Sequence, residues 1–90
     1  MEIKSIMTDD FTHCFVCGGQ AQQWHHCMNK ADKKKSEKYG LLIPVCAKCH
    51  SKIHDTDESL NKEIKKIAQA DFMLEHSFGL WMKEFGKSYL

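Results

Sequence analysis

The sequence predicts a small α+β zinc-stabilised domain, and three observations lead there. Two Cys-x-x-Cys units, Cys14-Phe-Val-Cys17 and Cys46-Ala-Lys-Cys49, offer four thiolates to one tetrahedral ion. Between them stand two short segments of strand character, AQQWHHCM and LLIPVC. Beyond them the apolar spacing lengthens to three and four residues, which is the period of a helix. A chain of 90 residues is a single domain, 1–90, with little apolar surface to bury. Zinc supplies folding energy that so small a core lacks. Residues 11–56 are expected to form the metal-holding core and residues 57–90 a helical extension.

The elements follow in chain order. The first ten residues, MEIKSIMTDD, lack periodicity and read as a lead-in. FTHCFVCGG sets aromatic residues around a Cys-x-x-Cys and ends in two glycines, as a tight metal-holding turn requires. AQQWHHCM is a short strand. NKADKKKSEKYG is polar and reads as a loop closing at Gly40, and LLIPVC is a second strand whose Pro44 belongs at an edge or a strand end. The product is a β-hairpin with a long basic tip. AKCHSKIHD makes about two helical turns, and Asp or Thr in DTDESL caps a second helix starting at Asp57 to Leu60. Leu60, Ile64, Ile67 and Ala68 give that helix one buried face. Phe72, Leu74, Phe78, Leu80, Trp81, Met82 and Phe85 read as core, with Gly79 separating two helices and Gly86 ending the last.

Composition narrows the function classes. No apolar run approaches membrane length, so a soluble protein without a membrane partner is expected. The start shows no apolar leader, which points to a reducing compartment, where paired Cys-x-x-Cys units hold a metal more often than a disulfide. A thioredoxin-like redox protein would need a βαβ pattern that is not seen. Net charge is only +1, but its distribution is uneven. All basic side chains are lysines, and five of them, Lys30, Lys33, Lys34, Lys35 and Lys38, crowd a stretch offset by Asp32 and Glu37 alone. Such a stretch suits phosphate contact, while the lack of arginine removes the bidentate guanine readout.

The histidines carry the rest of the chemistry. Four thiolates close the shell of a structural zinc at Cys14, Cys17, Cys46 and Cys49. Cys27 is left over as a small buried residue. In a helix, Cys49 and His50 diverge by about 100°, so Cys49 can face the zinc while His50 faces elsewhere. His54, four residues on, shares the His50 face. With His25 these two make a three-ligand site that leaves a position open for water or a phosphate oxygen, as a catalytic metal requires. His26 is then free as a general base. Neighbours on a regular strand point to opposite faces, so His25 and His26 both reach one phosphate only if the strand is bulged or ends there. Otherwise one of the pair is structural.

A Cys-x-x-Cys, an apolar residue before His-His, and an apolar strand running into Cys-x-x-Cys-His-x-x-x-His together resemble the HNH endonuclease superfamily in its four-cysteine form. The matching residues are Cys14, Cys17, His25, His26, Cys46, Cys49, His50 and His54. SEKYGLLIPVC and the FGKSYL ending look similar to small proteins of bacteriophages and prophages, some linked to recombination. The resemblance implies a ββα-metal (His-Me finger) core followed by C-terminal helices. It makes His25, His50 and His54 ligands of a catalytic divalent metal (zinc, manganese, nickel or magnesium) and His26 the residue that activates water. DNA would be the partner, with phosphate contacts from Lys30, Lys33, Lys34, Lys35 and Lys38 and further help from Lys48 and Lys52. Tyr39-Gly40-Leu41 stands where the family has its central asparagine, leaving Ser36 or Glu37 as substitutes. The expected activity is hydrolysis of DNA phosphodiesters with low sequence specificity, in the cytoplasm of a bacterial host. The alternative is a non-catalytic zinc-stabilised DNA-binding or interaction module. A recombination protein partner and a homodimer both remain open.

Overall fold

The computed structural model describes residues 4–28 and 32–90. Lys30 therefore lies outside the described residues. The Cys14–Cys17 turn leads into β1 (Gln23–His26), which pairs antiparallel with β2 (Leu42–Val45). The register is regular, with Gln23 opposite Val45 and His26 opposite Leu42. Pro44 lies inside β2, which is tolerated because each strand of a two-stranded sheet keeps one free edge. Its carbonyl accepts from Phe15 N–H at 2.8 Å and so ties the cysteine turn to the sheet.

The connection between the strands departs from the expected loop. Residues Lys33–Tyr39 form a helix, α1. Lysine and glutamate favour helix, and neither Gly nor Pro interrupts the run. Two side chains fix its place. Ser36, fully buried, donates from Oγ to the Met28 carbonyl at 2.5 Å and accepts from Met28 N–H at 3.0 Å. Tyr39 packs edge-on against Phe72 with ring centroids 5.1 Å apart. Gly40 then closes the helix at φ 73°, its N–H on the Ser36 carbonyl. A Cβ there would stand 3.2 Å from Ile6 N, so backbone conformation and space both call for glycine.

After β2, α2 (Ala47–Ser51) runs on into one π-helical turn, Lys52–Thr56. Asp57 caps α3 (Glu58–Glu75), its carboxylate accepting from Leu60 N–H at 2.9 Å. The final helix, α4 (Phe78–Phe85), starts at Ser77, whose Oγ accepts from Leu80 N–H at 3.1 Å. The break between α3 and α4 thus falls at His76–Ser77, and Gly79 lies inside α4 rather than between the helices. A capping serine sets the boundary more firmly than a glycine, which a helix can absorb for about 1 kcal/mol. Gly86 ends α4 in the left-handed region.

Leu41, Ile43 and Val45 pack with Ile53, Ile64, Ala68, Phe72 and Trp81 in the core, and Cys27 is fully buried beside them. Leu74 and Phe78 are exposed, so the apolar tail is only partly core. Among the described residues no helix is long and apolar enough to cross a membrane.

Candidate metal centres

The four cysteines of the two Cys-x-x-Cys units converge. Their sulfur atoms lie within 4.8 Å of one another, and Cys17 Sγ and Cys46 Sγ are 3.8 Å apart. Bonds of about 2.3 Å to one tetrahedral ion place sulfurs about 3.8 Å apart. The turn that carries Cys14 and Cys17 is closed by Gly18 N–H on the Cys14 carbonyl at 2.9 Å. Cys46 caps α2, its sulfur accepting from Cys49 N–H at 3.4 Å. Burial raises the Cys14 thiol, but N–H groups of Cys17, Cys46 and Val16 outweigh it and bring the value down to about 6. Cys49 is pushed up to about 12 by burial and by the neighbouring sulfurs. A thiolate thus forms readily at Cys14 and reluctantly at Cys49. A cation among the four sulfurs offsets the cost of ionising them all, and this donor set fits a structural metal site that zinc can fill.

A second cluster lies on the other side of α2. His25 on β1, His50 on α2 and His54 on the π turn offer ring nitrogens within 4.8 Å of one another, with His50 Nε2 and His54 Nε2 at 3.0 Å. His25 is 1% exposed, and neither of its ring nitrogens has a hydrogen-bond partner among the described residues. An unpaired buried polar group costs about 1–3 kcal/mol. A metal ion held with His50 and His54 would give His25 its missing partner, so the donor set fits such an ion. His50 Nδ1–H donates to Gln23 Oε1, which fixes the tautomer and leaves Nε2 facing the cluster. Burial, then the charges of His54 and His50, lower His25 to about 3. Burial first, then His54 and His26, also lowers His50. Both rings are held neutral, the form that ligates metal.

β1 ends at His26, and its last two histidines diverge as strand neighbours do. His25 turns into the cluster. His26, half-buried, lines a cleft of about 240 Å³ with Trp24, Lys33, His50 and His54. His50 and His54 are common to both places, so His25 meets them from the buried side and His26 borders them at the cleft. His26 Nε2–H donates to Glu37 Oε1 at 3.0 Å. Glu37 thus reaches the histidine, whereas Ser36 is committed to Met28.

The lysines scatter once their stretch is helical. Lys33 lines the histidine cleft. Lys34 is exposed. Lys35 Nζ donates to the Glu84 carbonyl at 2.5 Å, and Lys38 Nζ stands over the Tyr39 ring at 5.2 Å beside a separate recess with Lys4 and His76. Lys33, Lys34, Lys35 and Lys38 thus differ in their surroundings along α1. Gln23 and the reach of Glu37 escaped the sequence reading. The two-residue alternation of β1 that puts Gln23 beside His25 was the available signal for Gln23, and the four-residue step from Lys33 was the signal for Glu37.

Compared with family models, with curated proteins and with solved structures, the chain matches none of them.

Proposed function

We propose that the chain is a metal-dependent endonuclease of HNH type that hydrolyses DNA phosphodiester bonds with little sequence preference. The observation that carries this reading is the buried His25, its nitrogens unpaired, converging with His50 and His54 beside a cleft that His26 also lines. We read β1, β2 and α2 as the ββα-metal core and the four cysteines as its structural zinc site. The resemblance in the motifs extends the proposal to a phage or prophage source, a bacterial cytoplasm and a link to recombination.

In this reading His26 takes a proton from the attacking water. Its Nε2–H is engaged by Glu37, so Nδ1 is the nitrogen left to accept. Glu37 holds that tautomer and stabilises the ring as it gains charge. His25, His50 and His54 would hold a divalent ion, which when bound would supply Lewis-acid stabilisation of the charge that develops on the phosphate. Lys33 offers the cleft a cation for a neighbouring phosphate. Three imidazole donors suit zinc or nickel, with manganese and magnesium as more oxygen-seeking alternatives.

The test is nicking of supercoiled plasmid with added manganese, magnesium, nickel or zinc, comparing wild type with His26→Ala at equal structural zinc content. Wild-type cutting that the variant loses supports the proposal. Tyr39-Gly40-Leu41 in place of asparagine favours a second reading, a DNA-binding module without chemistry. That reading replaces the first if the wild type binds DNA and cuts with none of these metals.

A further inference from the structure

Trp24 and His26 stand two residues apart on β1 and share a face of the strand. Trp24 lines the histidine cleft and also borders a second recess, of about 160 Å³, with Phe11, Gln22, Gln23 and Pro44. Phe11 is 43% exposed and meets the Trp24 ring edge-on, with centroids 5.1 Å apart. Among the described residues, neither ring belongs to the hydrophobic core or packs against it. Two aromatic side chains are thus kept at the surface, next to the cleft, without a share in the core.

The polar groups around them are oriented. Gln22 Oε1 accepts from Ala47 N–H at 3.0 Å, and Gln23 Oε1 accepts from His50. With each amide oxygen oriented by a bond from the protein, the amide NH₂ groups are donors offered at the recess. Flat aromatic surface beside amide donors suits a ligand that is itself flat and rich in acceptors. Lys33, which lines the adjoining cleft together with Trp24, adds a cation where the ligand carries negative charge.

We propose that Phe11, Trp24 and the two glutamines form a subsite for an unpaired nucleobase of DNA, next to the phosphate held in the histidine cleft. A base inside a duplex has both faces covered by its neighbours and cannot enter. The inference rests on the nuclease reading for the position of the phosphate and deepens it: the substrate is DNA with a single-stranded or branched stretch at the cut.

Binding alone tests it, without chemistry. Fluorescence anisotropy with labelled oligodeoxythymidylate and with a labelled duplex, on zinc-loaded protein without other divalent ions, compares wild type, Trp24→Leu and Phe11→Ser. Stacking on an aromatic side chain predicts that Trp24→Leu weakens single-strand binding about ten-fold while duplex binding stays within about two-fold. Phe11→Ser, at an exposed site outside the core, weakens it in the same selective way with the fold intact. Single-strand binding unchanged in both variants, or an equal loss on both DNA forms, overturns the proposal. Plasmid nicking by the wild type with no effect in these assays removes the subsite and leaves the nuclease. Selective binding losses in a protein that never cuts keep the subsite and remove the nuclease.

Discussion

His26 and Glu37 meet at 3.0 Å, joining the last residue of β1 to the middle of α1. In the proposed nuclease that carboxylate would orient the ring that takes the proton. Glu37→Ala should lower kcat for plasmid nicking about 100-fold and leave KM little changed, the size of effect expected when a general base loses its orientation. Glu37→Gln, which keeps an acceptor but no charge, should fall between that variant and the wild type. Equal kcat in all three would deny Glu37 its positioning role.

Metal binding should separate the two clusters. Isothermal titration of metal-free protein with zinc should show a tight event at the four sulfurs and a weaker one at His25, His50 and His54. His50→Ala should abolish the second event alone. Gln23→Ala, which frees the His50 ring, should weaken it by about 10- to 100-fold. Loss of the first event in either variant would mean that the clusters are not independent.

Acid should destabilise the fold through His25. Its value falls from 6.5 to about 3 on folding, so between those pH values the unfolded chain binds more protons and stability drops as pH falls. The full span corresponds to about 4–5 kcal/mol, most of it lost below pH 5. With zinc at the sulfurs and the histidine cluster empty, urea midpoints should decrease from pH 7 to pH 5. His25→Leu should flatten that slope, and an unchanged slope would show that His25 titrates normally.

Gly40→Ala should destabilise by about 2 kcal/mol or more in urea unfolding, combining left-handed strain with the close Ile6 backbone. Gly86→Ala has the same φ and nothing within 4 Å of the added atom, so it should cost less. Equal costs would mean that crowding at Ile6 is relieved by a small shift.

Sequence patterns expose what is local and periodic. The cysteine quartet and the His50–His54 pair were legible because their ligands come at fixed short spacings. β2 was legible as a short apolar run and β1 as the short segment AQQWHHCM ahead of it, and the Asp57 cap was legible from residue type. Helix α1 was not, since Lys33–Tyr39 has no apolar period and is set in place by Ser36 on Met28 and Tyr39 on Phe72. The tether from Lys35 to Glu84 spans 49 residues and leaves no local trace. Without it, a lysine cluster looks like one charged surface, whereas in the fold its members serve separate neighbours.

The adjacency of Cys49 and His50 makes α2 a shared axle. One peptide unit delivers a sulfur to one donor set and a ring to the other, so any rotation of the helix that improves one geometry disturbs the opposite one. One residue inserted between Cys46 and Cys49 would break the sulfur spacing and turn His50 with it, whereas one inserted between His50 and His54 would break the histidine pair and leave the four cysteines in register.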